Sequence, residues 1–246
     1  DWAYIDAETA MPIVKSFRTE TRTSNSLTLS WNKNSTTDGY IVEQYKGGKW
    51  TRIAKTSSAS AVDITVKSLS AGTSYRFRIK VYKGSKSGSY VYLCADTLPT
   101  VVSGFKRSDR SSSTVTLSWN RNTSATGYVI QRYKNEKWAD VTVIRNNSVT
   151  SYKVSGLAAS TAHKFRICAY KTTDNTTSYS GYKNVTVNTL PGNVSGFTGS
   201  GKTSDTITLK WDKNTSASGY IIEQYTNGKW VRLTKLTSAD KVSCSI

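Results

Sequence analysis

Apolar and polar residues alternate with a period of two in short runs along this chain. Leu27, Leu29 and Trp31 alternate with Thr28 and Ser30, as a strand with one buried face requires. Asn32 to Gly39 reads as a polar turn and Tyr40 to Tyr45 as the next strand. Lys46-Gly47-Gly48 then supplies the positive φ angles of a hairpin into Lys49 to Lys55. Val62, Ile64 and Val66 alternate again, and after a turn Tyr75, Phe77, Ile79 and Val81 alternate with Arg76, Arg78, Lys80 and Tyr82. A last strand runs from Tyr90 to about Thr97, and Val14 to about Thr21 adds one at the front. Seven short strands with frequent turn signals predict a two-sheet sandwich. No long stretch repeats at 3.6 residues, so helix is expected to be nearly absent.

The pattern recurs. WNKNSTTDGYIVEQYKGGKWTRIAK begins at Trp31, WNRNTSATGYVIQRYKNEKWADVTV at Trp119 and WDKNTSASGYIIEQYTNGKWVRLTK at Trp211, in steps of 88 and 92 residues. That period is far longer than a solenoid unit and matches one small sandwich domain. Thr97-Leu98-Pro99 and Thr189-Leu190-Pro191 mark the borders, because proline ends a strand and leaves a very short connector. The expected organisation is residues 1–11 as the last strand and linker of a preceding module, then modules at 12–99, 100–191 and 192–246. Trp2 to Thr9 align with Tyr90 to Thr97, and Ile246 aligns with Val154, so the third module is expected to stop before its last two strands. Short connectors predict an elongated rod with limited bending.

Leu29-x-Trp31, Gly39-Tyr40-x-Val42 and Leu69-x-Ala71-x-Thr73-x-Tyr75 together resemble the fibronectin type III domain, and the resemblance covers nearly the whole chain. It implies an all-β fold of tandem seven-stranded, immunoglobulin-like sandwiches. Trp31, Tyr40, Leu69 and Tyr75, with Trp119, Tyr128 and Leu157, and Trp211 and Tyr220, are then structural residues. Tyr75 takes the place of the family's corner tyrosine, whose hydroxyl bonds back to the backbone. In the second module the chain's one histidine, His163, stands at that position, where an imidazole N–H can replace the hydroxyl as donor. Few loop prolines and Thr/Ser/Asn-rich turns resemble the modules of Gram-positive secreted or wall-attached proteins, which implies an extracellular setting beside hydrolase or adhesin domains.

Composition changes the picture in one respect. Lys and Arg outnumber Asp and Glu by 34 to 16, a formal charge of +18. That sign attracts polyanions such as acidic glycans and anionic wall polymers. Its even spread over every module equally serves a solvated, like-charged surface. No apolar run approaches the length of a membrane span. Cys94, Cys168 and Cys244 fall in different modules, which argues against a disulfide framework or a clustered zinc site.

No catalytic residues, cofactor or metal are expected. A triad would have to be built on His163, a core position. Glu43 and Glu223 recur, but Gln131 replaces them in the second module, and pairing of Glu43 with Arg78 across strands accounts for the glutamate. The candidate binding surface is the outer sheet face, with Tyr45, Trp50, Arg76 and Arg78 in the first module and Tyr133, Trp138, Lys164 and Arg166 in the second. Rings beside cations suit sugar stacking and acidic groups; the competing reading is that arginines layer on the rings and close them. No specific nucleic acid partner is expected. The function that follows is a non-catalytic spacer and interaction array of a larger secreted or cell-surface protein, contacting its flanking domains. A carbohydrate- or wall-polymer-binding module and an accessory region of a glycoside or peptidoglycan hydrolase are the alternatives.

Overall fold

The computed structural model describes residues 10–174 and 176–246, so the strand expected over Trp2 to Thr9 lies outside the described residues. In the first repeat the strands are β1 (Arg18–Arg22), β2 (Leu27–Ser30), β3 (Gly39–Lys46), β4 (Lys49–Lys55), β5 (Asp63–Val66), β6 (Ser74–Lys83), β7 (Lys86–Ser87) and β8 (Val91–Asp96). They form a three-stranded sheet, β1-β2-β5, facing a five-stranded one, β4-β3-β6-β7, in which β8 pairs the other part of β6. The second repeat reproduces this with β9 (Lys106–Arg110), β10 (Val115–Ser118), β11 (Gly127–Lys134), β12 (Lys137–Ile144), β13 (Ser151–Val154), β14 (Ala162–Thr173), β15 (Thr176–Tyr179) and β16 (Lys183–Asn188). The third has β17 (Thr198–Lys202), β18 (Ile207–Lys210), β19 (Tyr220–Thr226), β20 (Lys229–Leu236) and β21 (Ser243–Ser245). Among the described residues nothing there corresponds to β6 and β8.

Two details differ from the alternation. The two-residue strand β7 and the four-residue strand β15 add an eighth strand to their repeats, pairing back on the ends of β6 and β14. The front strand starts at Arg18 rather than Val14, since Ser16 takes a φ of 56°, outside the extended region. Val14 still reaches the interior, at 4% exposure.

Each repeat has its own interior. Trp31 packs with Tyr40, Val42, Phe77, Ile79 and Val81, and Trp119 with Tyr128, Ile130, Phe165 and Ile167. Trp211, Tyr220 and Ile222 form a smaller third cluster. In all three the indole leans on the strand-start tyrosine at a centroid distance of 5.2–5.3 Å. Leu69 and Tyr75 are half-buried against the first core, and Leu157 and His163 are buried in the second. Where β19 lacks a neighbour, apolar side chains stay open: Ile221 is 52% exposed and Trp230 66%.

Hairpin loops follow the expected turn chemistry. Gly47-Gly48 and Asn227-Gly228 adopt the paired positive φ angles that a two-residue turn needs. The second repeat puts Asn135 and Glu136 there, at 51° and 61°, so a side chain other than glycine or asparagine is held in the left-handed region.

Candidate functional site

The junctions between repeats are built by the same residues twice. Leu98 is tied to the first repeat, its N–H donating to Thr23 O at 3.0 Å and its carbonyl accepting from Gly72 N at 3.0 Å. Thr100 is tied to the second: its N–H donates to Ser124 Oγ at 3.0 Å and its carbonyl accepts from Asn122 Nδ2 at 2.7 Å. Only Pro99, with φ fixed by its ring, lies between. At the next junction Leu190 N donates to Ser111 O and its carbonyl accepts from Ser160 N, both at 2.9 Å. Gly192 N donates to Ser216 Oγ at 2.7 Å, and its carbonyl accepts from Asn214 Nδ2 at 2.6 Å. Pro191 is the residue between.

The clamp is positioned from the core. The Tyr128 hydroxyl accepts Asn122 N at 2.8 Å and donates to Asn147 O at 3.0 Å, and Tyr220 does the same with Asn214 N and Ala239 O. Ser124 N and Oγ donate to Asn122 Oδ1, as Ser216 does to Asn214, which turns each amide nitrogen toward the linker. Asn122-x-Ser124 and Asn214-x-Ser216, whose sequence suits a generic turn, are therefore linker clamps. The repeats also touch directly, since a Cβ on Gly72 would stand 2.0 Å from Ser124 O.

At the corner, Ser70 N donates to the Tyr75 hydroxyl at 2.7 Å. His163 takes over the carbonyl side: its Nε2 donates to Ala158 O at 3.2 Å while Nδ1 accepts from Arg132 at 3.1 Å. That pair of bonds needs the neutral ring. Burial pushes the His163 pKa below its ordinary value of 6.5, with the Arg132 charge acting in the same direction and the Ala158 bond opposing. The unfolded imidazole takes up a proton more readily than the folded one. Stability of the second repeat is thus fully present above about pH 6.5 and lost as pH falls below it toward the folded pKa. Melting of wild type and His163→Tyr between pH 7.5 and 5.5 checks this. The wild type is expected to lose more thermal stability on acidification, and parallel profiles would exclude the linkage.

The aromatic and basic residues of the outer sheet face are stacked on one another. Arg76 lies 4.0 Å over Tyr45, and Arg78 lies 4.5 Å over Trp50 and 3.8 Å over Tyr90. Arg166 lies 4.4 Å over Trp138 and 3.8 Å over Tyr182, with Lys164 5.8 Å from Tyr133. Glu43 fixes Arg78 through a 2.6 Å bond from Nε, and Gln131 fixes Arg166 at 2.7 Å. Arg78 and Arg166 are thus each sandwiched between two rings, an arrangement that closes those ring faces to a ligand. Tyr90 and Tyr182 complete it and escape single-position reading, although each stands seven residues before the Thr-Leu-Pro border of its repeat. Among the described residues no cluster of three or more histidine, cysteine or acidic side chains is placed to hold a metal, and all three thiols are free. No helix of the described residues is long and apolar enough to cross a membrane.

Residues 12–91 and 100–181 each match the family model described as Fibronectin type III domain. Exoglucanase B of Cellulomonas fimi is 26% identical over 200 residues, 74% of this chain and 18% of that protein. Chitinase A1 of Niallia circulans is 30% identical over 158 residues, 60% of this chain and 22% of that protein. The chain thus spans about a fifth of the length of either relative. A two-domain fibronectin type III segment from chicken tenascin matches at 18% identity with a TM-score of 0.49, over 72% of this chain and all of that one. With two matched segments that together take in most of its length, and the paired three- and five-stranded sheets found in both, the chain belongs to the fibronectin type III family.

Proposed function

We propose that this chain is a non-catalytic, stiff spacer: an array of modules at residues 12–99, 100–191 and 192–246 that sets the distance and orientation of other domains in a larger secreted or cell-surface protein. The observation that carries the reading is the doubly anchored linker. Residues on both sides of one proline have N–H and C=O bonded to opposite modules, leaving almost no free torsion to act as a hinge. A flexible tether needs the reverse, a run of unbonded residues. The surface charge of +18 keeps such an array extended through self-repulsion. The relatives favour a placement. Both bear the names of polysaccharide-cleaving enzymes and are about five times longer than the matched region, so this array is read as an accessory region beside a hydrolase domain.

Residual dipolar couplings on the full chain test the stiffness. The first two modules are expected to share one alignment tensor, and Asn122→Ala with Pro99→Gly is expected to separate them at a cost of only about 1–2 kcal/mol in the second module. Independent alignment in the wild type would end the stiff-spacer reading. The placement is tested by the coding sequence on either side, where a polysaccharide hydrolase domain in frame is expected.

A further inference from the structure

The outer sheet face of the second module departs from the others at one place. Arg52, Lys55 and Lys80 of the first module correspond to Asp140, Val143 and Cys168 of the second, while the third keeps Arg232 and Lys235. Three cationic positions thus become an acid, an aliphatic and a thiol, all facing one way. The result is an open groove of about 730 Å³, within the roughly 300–1,000 Å³ usual for small-molecule sites.

Its floor is an extra apolar cluster on the outside of the sheet: Val129 at 8% exposure, Cys168 at 0% and Tyr170 at 7%. Its walls are Tyr179, 52% exposed, and Tyr182, 42% exposed and supported from one face by Arg166. The charged groups of the lining are Asp140, whose Oδ1 accepts from Gln131 Nε2 at 2.7 Å, and Arg145. One hydroxyl differs from its counterpart in the first module. In the first module the hydroxyl of Tyr82 donates to Thr56 O at 2.7 Å, but its counterpart Tyr170, buried at the groove floor, finds no hydrogen-bond partner among the described residues. Its oxygen is not among the side-chain atoms sealed from solvent, so it opens into the groove with its hydrogen-bonding capacity available to water or a ligand.

We propose that this groove binds a neutral oligosaccharide: Tyr179 stacks on a sugar ring, and Asp140, Arg145 and the Tyr170 hydroxyl read its hydroxyl groups. Charge decides the ligand class. One carboxylate and one guanidinium leave the groove near neutrality on a chain of +18, and the cations a polyanion would need are the ones replaced. Exposed tyrosine faces beside acceptors and donors suit the alternating C–H and O–H surfaces of a sugar. The proposal stands apart from the spacer reading, because a stiff or a flexible array can carry it.

The test is a titration of the full chain, followed by amide chemical shifts, with cellohexaose, chitohexaose and xylohexaose, and with oligogalacturonate as the anionic control. At least one neutral oligosaccharide is expected to shift Asp140, Thr172, Thr177 and Tyr179 saturably, leaving Arg52 and Tyr82 of the first module unmoved. The affinity should change little with salt, since no ion pair forms with the ligand. Tyr179→Ala is expected to weaken binding about tenfold, the loss of one aromatic stack. Asp140→Arg with Val143→Lys installs the residues that the first module carries on the same scaffold, so the fold is retained and binding should disappear. The proposal is overturned if no neutral probe shifts these residues up to about 10 mM, a concentration that would saturate a Kd near 1 mM. It is equally overturned if both variants bind as wild type does or if oligogalacturonate is the better ligand.

Discussion

Replacing Trp119 by alanine is expected to destabilise the second module by about 3–5 kcal/mol, the usual cost of truncating a large buried aromatic. Trp119 is 4% exposed and wedged between the two sheets, with Tyr128 at 5.3 Å and Phe105 at 6.4 Å. Its neighbours are held by strands on both sides, so the space cannot collapse. The indole N–H has no hydrogen-bond partner, as in Trp31 and Trp211, and the loss is therefore one of packing alone. Trp119→Phe should cost much less for the same reason. A module of this size has roughly 5–13 kcal/mol in total at 0.05–0.15 kcal/mol per residue, so the alanine variant leaves it marginal. Trp138→Ala supplies the contrast. That ring sits on the outside under Arg166, and its removal should cost about 1 kcal/mol through the lost stacking. Urea unfolding of the full chain, read from amide signals that distinguish the modules, measures both. Equal losses for the two variants would contradict the assignment of Trp119 to the core and Trp138 to the surface.

Much of this was written in the alternation itself. Period-two runs place Leu27, Leu29, Phe77 and Ile79 inside and Glu43 opposite Arg78, because side-chain direction in a strand depends on parity and little else. The replacement of a corner tyrosine by His163 was readable for a similar reason: the donor changes but the accepting carbonyl, Ala158, stays where Ser70 is. Parity is also what hid the groove. Asp140 and Val143 are three residues apart and should face opposite ways, yet Asp140 pairs with Gln131 and Val143 with Val129, both pointing outward. The register slips between Ile130 and Gln131, and the bulge inserts one residue, Val141, that reverses the count. The linker clamps were invisible for a different reason. Asn-x-Ser serves any turn, and only the distance from Asn122 Nδ2 to Thr100 O shows which backbone it holds.

Gly127→Ala is expected to destabilise the second module by about 3 kcal/mol, opposite in sign to the small gain that this substitution brings at an unobstructed position. Gly39, Gly127 and Gly219 precede Tyr40, Tyr128 and Tyr220, and none has a positive φ, so the backbone itself permits a side chain. The obstacle is the neighbouring strand. A Cβ would stand 2.2 Å from Thr56 O in the first module, 1.9 Å from Ile144 O in the second and 2.0 Å from Leu236 O in the third, contacts no packed structure accepts. Relief requires β11 and β12 to part where Tyr128 begins its strand. That motion drags the hydroxyl that holds Asn122, and with it the clamp on Thr100. The variant should therefore lose stability and junction order together: a lower unfolding midpoint for the second module, and alignment tensors of the first two modules that no longer coincide. Gly199→Ala is the control, with open space around its Cβ position and an ordinary φ, and should leave both readouts unchanged. A Gly127→Ala protein as stable as wild type would mean that the close approach of the two strands is not what selects glycine there.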